Sequence, residues 1–406
     1  MYQCQYCPNT DIQEILYLGA LPPVNDMELT DELQKKVNCF PLPFCHCDQC
    51  GLTQIGITLE REVVFPNNYP YLSGMTKSLL ENFASQADEI NNYLQLKKDD
   101  LVIDIGSNDG SLIQNYMQWS RVLGIEPTNA ADVAISREIP TLKMYFDAKS
   151  TDEINSFHGK ARLVTACNVF AHISDIPGLL KNIDKILTID GIFVSESHYL
   201  VDLVGTLQFD TIYHEHLRYY TVTFLKKMFN EFGLDIFRVD SIASHGGSIR
   251  VWACRQGKHV VSGSVEKFLK IESDAKIDNV EVLMKFSKDV ISWRNEFRLM
   301  FSQLITSGAK IGGLGAPSRA STLITFSGLS EHDLFGIGEV SNSAKIGKNI
   351  PGTRIPVMTE AELLKGKPTH LLILSWHITD QIMSALRKKG YEGKFIIPLP
   401  LPKVVD

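Results

Sequence analysis

Short, continuous apolar runs alternate with amphipathic segments over residues 85–255 of this chain, and that alternation restricts the fold more than any other feature. LVIDIG (101–106) is apolar at successive positions, the pattern of a strand covered on both faces. RVLGIEP (121–127), ARLVTACN (161–168) and GIFVSES (191–197) repeat it with helical patterns between, the βαβ rhythm of a parallel sheet. A second such unit opens at AKIGGLG (309–315) and runs through LFGIGEV (334–340), HLLILSW (370–376) and KFIIPLP (394–400). Between the two units, residues 265–305 carry apolar side chains at helical spacing. At 406 residues the chain exceeds what one core fills, so the expected class is α/β with more than one domain.

In front of the sheets lies a Cys- and Pro-rich stretch holding six of the eight cysteines. Cys4–Cys7 and Cys47–Cys50 form two CxxC pairs, the arrangement that gives Zn²⁺ four soft donors from two turns. The 39 residues between the pairs exceed the usual ribbon gap, and Cys39 and Cys45 offer spare thiols. The alternative is a set of free or buried cysteines. A closed four-thiolate site leaves no open position for substrate, so its metal would be structural. The N-terminus has neither the basic start nor the apolar stretch of a signal peptide, and no run approaches the roughly 20 residues of a membrane span. A cytoplasmic chain without a membrane partner is expected, and the net charge of −7 argues against nucleic acid as a partner.

Residues 101–112, LVIDIGSNDGSL, place a glycine turn after a strand that ends at Asp104. Gly106 and Gly110 would let a ligand approach the backbone, beside the N-terminus of a helix expected from Ser111. The loop is neither GxGxxG nor a P-loop. About twenty residues on, Glu126 ends the next strand, where a carboxylate can accept ribose hydroxyls of NAD or of S-adenosylmethionine. Asn108 and Asp109 favour S-adenosylmethionine, whose ammonium and carboxylate need polar partners. The plainer alternative is a glycine turn in an ordinary α/β domain. Asp104, Gly106, Asn108, Asp109, Gly110, Glu126 and Asn168 are the expected cofactor-lining positions.

The densest chemical segment is QFDTIYHEHLRYYT (208–221), with Tyr213, His214, Glu215 and His216 in a row. It is not the HExxH of a metalloprotease helix. An extended backbone would send Tyr213 and Glu215 one way and His214 and His216 the other; a tight turn would break that alternation. Four polar groups together are costly to bury without a task. His172 follows the strand ending at Asn168, at the carboxyl edge where such sheets bind ligands, although a single histidine there can equally be packing. HGGSIR (245–250) reads as a tight turn with a capping serine or as backbone at Gly246–Gly247 lying beside a ligand.

Taken together, the CxxC pairs, IGSNDGSL, IEPT, NVFAH, FDTIYHEHLRYYT, HGGS and PGTRIPV resemble the sugar C-methyltransferases of deoxysugar biosynthesis over essentially the whole length. The resemblance implies a zinc-binding domain (1–62), a class I S-adenosylmethionine-dependent methyltransferase domain (63–255) and a second Rossmann-like α/β domain (256–406), in a monomer. It implies methylation at C3 of a nucleotide-linked 4-keto-deoxysugar, with catalytic groups at His216, Tyr213, Glu215 and His172 and a tyrosine of the YPYLSG loop, Tyr71 or Tyr69. Where the family commonly has a YGAPAK segment this chain reads LGAPSR, with Leu314 and Arg319. Arg319 and the Gly312–Gly315 loop are the expected neighbours of the pyrophosphate. The chemistry is consistent: a C–H beside a ketone is removable only with a base and stabilisation of the enolate. The rival classes are an NAD-dependent nucleotide-sugar oxidoreductase or epimerase and a non-catalytic zinc-containing adaptor.

Overall fold

The computed structural model describes residues 2–27, 29, 37–65, 71–75 and 77–406. Three sheets organise it. The first is antiparallel, in the order Gln13–Leu21, Phe40–His46, Thr53–Ile55, Arg218–Tyr219. Its last strand comes from the segment that carries Tyr213 and His216.

The second sheet has seven strands in the order Leu234–Ile242, Ser248–Arg255, Leu187–His198, Ala161–Cys167, Leu101–Ile105, Arg121–Ile125, Thr141–Leu142. Ser248–Arg255 runs antiparallel to both its neighbours and the other pairs are parallel. Order and direction are those of a class I methyltransferase fold. The apolar runs read from sequence are its central strands, although Leu187–His198 starts four residues before GIFVSES. The third sheet, Val357–Thr359, Ile337–Glu339, Ile311–Leu314, His370–Ile373, Lys394–Ile397, Lys403–Val405, is parallel except at its last strand.

Two local expectations differ. No α-helix follows the glycine turn; a short 3₁₀ turn, Ile113–Tyr116, stands there. Asn115 Nδ2 donates to the Ser111 and Leu112 carbonyls at 3.0 and 2.9 Å, and Gln114 Nε2 donates to Ser111 at 3.1 Å. Side-chain amides thus take acceptors that an α-helix would have used. The 265–305 stretch is two helices, Gly263–Ala275 and Val280–Thr306. Lys276 closes the first in a left-handed conformation (φ 50°), and Asn279 caps the second by accepting from Glu281 N.

One apolar core joins the first and third sheets. Leu16, Leu42 and Phe44 of the first pack with Phe209 and Ile212, with Phe286, Trp293 and Phe297 of the long helix, and with Ile311 and Ile337 of the third. Phe209 sits 4.6 Å from the Trp293 ring and 5.1 Å from Phe326. The segment just ahead of Tyr213 is therefore fixed from both sides. No helix among the described residues is long and apolar enough to cross a membrane.

Candidate active site

The first strand pair brings the cysteines together. Gln13 lies opposite His46, so the 39-residue interval folds back as an antiparallel pair and returns the second CxxC to the first. The Sγ atoms of Cys4, Cys7, Cys47 and Cys50 all lie within 4.8 Å of one another, with Cys4–Cys50 at 3.6 Å and Cys7–Cys47 at 3.5 Å. Tetrahedral Zn–S bonds of about 2.3 Å separate sulfurs by about 3.8 Å, so the donor set fits that ion. Tyr6 N and Cys7 N both point at Cys4 Sγ from 3.4 Å, hydrogen bonds that a thiolate strengthens. The spare thiols are elsewhere: Cys39 is exposed, and Cys45 is buried in its strand with its thiol pushed up to about 12 by burial.

At the carboxyl edge of the second sheet, Asp104 is buried and accepts from Thr165 Oγ1 at 2.6 Å. Burial, and less so the nearby Glu126 charge, pushes its carboxyl up to about 7. Gly106 turns the chain at φ 68°, where a Cβ would meet Val169 Cγ2 at 2.4 Å. Gly110 does the same at φ 78°, against Ile139. Glu126 is buried with Oε1 accepting from Thr128 N (2.8 Å) and Oγ1 (2.6 Å), and Oε2 accepting from Asn108 N (3.1 Å). Oε2, with one donor against two on Oε1, is therefore the oxygen with a spare acceptor position. Asn168 stands at φ 56°, its buried Oδ1 without a partner among the described residues. Such an orphan acceptor on a sheet edge fits a cofactor donor.

The side chains of Asn108 and Asp109, expected to meet the cofactor's ammonium and carboxylate, are engaged by the backbone of the YPYLSG loop. Asn108 Oδ1 accepts from Ser73 N at 2.9 Å and its Nδ2 donates to Tyr71 O at 3.2 Å. Asp109 Oδ2 accepts from Gly74 N at 2.9 Å and Oδ1 from Ser111 N at 3.2 Å. They brace Tyr71, whose hydroxyl is pushed up to about 12 by burial. Tyr69 lies outside the described residues.

Tyr213–His216 is a turn closed by His216 N donating to Tyr213 O at 3.0 Å, so the extended alternation is not what forms. His214 turns toward the first sheet, its Nε2 3.2 Å from Pro41 O and 3.3 Å from Phe40 O. Glu215 is buried, with Oε1 accepting from Asn25 Nδ2 at 2.7 Å. Asn25 Oδ1 in turn accepts from Ser318 Oγ at 3.1 Å. Tyr213 lies on His216 with ring centroids 4.0 Å apart, and His172 and His198 both approach it at 4.9 Å. His216 Nδ1 is 2.8 Å from Thr211 O. A carbonyl only accepts, so Nδ1 carries a hydrogen, and in the neutral ring the basic nitrogen is then Nε2. Burial lowers His172 to about 4 and holds the Tyr213 hydroxyl well above the ordinary phenol range.

Two expectations for the third sheet are corrected. Arg319 is not an open cation for phosphate: Nε and Nη2 grip Asp210 at 2.8 Å each, and the guanidinium lies over Trp376. The glycine loop is not an open anion cradle, since Gly313, Gly315 and Ala316 donate to Gly336 O, Gly338 O and Glu339 Oε2. The HGGSIR segment is a tight turn, with Ser248 Oγ on Ser244 O, and a Cβ on Gly247 would meet Asp202 at 2.4 Å.

Residues 79–239 match the family model of a methyltransferase domain, and residues 243–400 match that of a C-methyltransferase C-terminal domain. Over 409 aligned residues the chain is 30% identical to the C-methyltransferase NovU of Streptomyces niveus, with 100% of this chain and 97% of that protein covered. The chain belongs to the C-methyltransferase family. It is an S-adenosylmethionine-dependent enzyme, and the oxidoreductase and adaptor alternatives fall away. Among solved structures it is similar to an S-adenosylmethionine-dependent methyltransferase from Clostridium acetobutylicum (14% identity, TM-score 0.35, 44% of this chain and 92% of that one). It is also similar to the magnesium protoporphyrin IX methyltransferase of Synechocystis with bound S-adenosylmethionine (14% identity, TM-score 0.32, 43% and 79%). Sequence reasoning about this methyltransferase missed His198 and Asn25, which reach the site from the end of a sheet strand and from the loop after the first strand. Neither stands in a motif; His198 closing a long strand at a carboxyl edge was the one available signal.

Proposed function

We propose that this C-methyltransferase methylates C3 of a nucleotide-linked 4-keto-deoxysugar through an enolate, with His216 as the base. The observation that carries the reading is the fixed tautomer of His216: Nδ1 is tied to Thr211 O and Nε2 is the basic nitrogen. When bound, S-adenosylmethionine supplies an electrophilic methyl group. His216 Nε2 takes the proton from the carbon beside the ketone. Tyr213 and His172 polarise the carbonyl, and Tyr71 stands by as a further donor. Burial keeps both tyrosines protonated and His172 neutral at physiological pH, so all three act as donors of hydrogen bonds. Glu215, held by Asn25, binds a sugar hydroxyl. Asp104, Gly106, Gly110, Glu126 and Asn168 line the cofactor, with Asn108 and Asp109 acting through the loop they brace. The four thiolates hold one structural Zn²⁺ in a domain of residues 1–62, ahead of a methyltransferase domain (63–255) and a second α/β domain (256–406).

The test is exchange without methyl transfer. In D₂O, with S-adenosylhomocysteine in place of the donor, the protein is incubated with thymidine-, uridine- and guanosine-diphosphate-linked 4-keto-6-deoxyhexoses and read by NMR and mass spectrometry. Deuterium at C3 that disappears in His216→Ala is expected. Removal of the base should also cost at least about 10²-fold in methylation while cofactor affinity stays. Deuterium at C5 instead would move the reaction to the other carbon beside the ketone, and exchange in His216→Ala at the wild-type rate would assign the base elsewhere.

A further inference from the structure

Resting on that reading, the proton balance of the reaction demands a component that the site residues proposed above do not supply. The C–H bond breaks with its proton to His216 and its electron pair to the enolate. The enolate carbon then bonds the methyl, and the sulfonium sulfur keeps the S–C pair and becomes a neutral thioether. One proton is left on His216 at each turnover. His216 is 6% exposed, and Nδ1 is tied to Thr211 O, so turning the ring toward solvent would break that bond. Among the described residues the rings against it include Tyr213, His172, His198 and, farther off at 6.5 Å, Tyr219. Tyr213 and Tyr219 keep their hydroxyl protons, and burial lowers His172 to about 4, so none of the three takes up a proton near neutrality. His198 is half-buried at the end of its strand, across from Ser248, and its ring centroid is 4.9 Å from that of His216. That separation allows transfer directly or through one water.

We propose that His198 is the relay that takes the abstracted proton from His216 and passes it to solvent. It acts through His216 and needs no contact with substrate.

The test separates proton exit from chemistry. With enzyme in excess, His216 starts neutral, so a single round of methylation needs no relay. His198→Asn should therefore methylate at the wild-type rate in a single turnover. Its steady-state rate and its deuterium exchange with S-adenosylhomocysteine should both fall by about 10²-fold, the low end for a positioned proton-transfer group, because the trapped proton returns to the carbon it left. Added 4-methylimidazole should restore turnover in proportion to its concentration. His198→Gln is the second variant, and S-adenosylhomocysteine affinity by calorimetry checks both. Exchange at the wild-type rate in either variant overturns the relay. So does an equal loss in single-turnover and steady-state rates without imidazole rescue, and so does loss of cofactor binding in both variants, which makes His198 architectural. Wild-type protein that neither exchanges nor methylates any of the three sugars instead fells the proposed reaction, and the relay with it.

Discussion

Glu126 accepts three hydrogen bonds from protein groups, and that sets what it can give a cofactor. A carboxylate has about four acceptor positions, so one strong bond from Oε2 to a ribose hydroxyl is left. Glu126→Ala should weaken S-adenosylmethionine binding by about 1.5–3 kcal/mol, the usual worth of a hydrogen bond to a charged group. Calorimetry that finds unchanged affinity would place the ribose elsewhere. Asp104 makes a second case. Its folded pKa of about 7 lies above the ordinary value near 3.8, so between those values the folded state holds more proton than the unfolded chain. Stability from this group is present below about pH 4 and is lost as pH rises through about 7. Denaturation followed from pH 5 to 8 should show that decline, and Asp104→Asn should flatten it; an unchanged slope in the variant would mean another group titrates. Both carboxylates were legible in the sequence because each ends an apolar strand. How far their lone pairs were already committed was not, since the donors, Thr128 apart, come from other loops and strands.

At the scale of elements, the turn at Tyr213–His216 is held by what surrounds it. Asp210 sits just ahead of it, 1% exposed at its side chain, and holds Arg319 in a two-point grip while accepting from Trp376 Nε1 at 2.8 Å. The pair ties the third sheet's helix Ser318–Ser327 to the segment that leads into the Tyr213–His216 turn. Asp210→Ala leaves a buried guanidinium without its counter-charge, which costs about 3–5 kcal/mol. Urea denaturation of the variant should show that loss, and a change below about 1 kcal/mol would make this an ordinary exposed pair. From sequence, Arg319 read as a cation for phosphate, since nothing local announces a partner 109 residues earlier. The missing helix after Gly110 has a more local cause: Gln114 and Asn115 were visible, but their capture of the Ser111 and Leu112 carbonyls outcompeted the helical pattern.

For the whole molecule, the N-terminal sheet is part of the site's architecture. Its fourth strand, Arg218–Tyr219, begins two residues after His216, and Asn25 from its loop holds Glu215. Metal and catalysis should therefore fail together. Protein purified without chelators should contain one zinc per chain, and Cys47→Ala should lose it. The variant should melt at lower temperature and lose methylation, although no thiolate touches substrate. Less than half an equivalent of metal in the wild type would remove the zinc from this account. A zinc-free variant with full stability and activity would uncouple the two regions.

The sequence by itself determined the class of fold, because continuous apolar strands with helices between them have few ways to bury both faces. It also made the four-cysteine set and the Tyr213–His216 run visible, because CxxC pairs and a run of titratable residues announce themselves within a few positions. Only the tertiary structure decided which of those groups face one another. It turned His214 away to the Pro41 carbonyl, stacked Tyr213 on His216, brought His198 and Asn25 from elements with no motif, and closed the third sheet's loop with its own Glu339. Each outcome depends on partners tens to hundreds of residues apart, and hydrogen-bond capacity is spent across those distances, where periodicity and spacing carry no information.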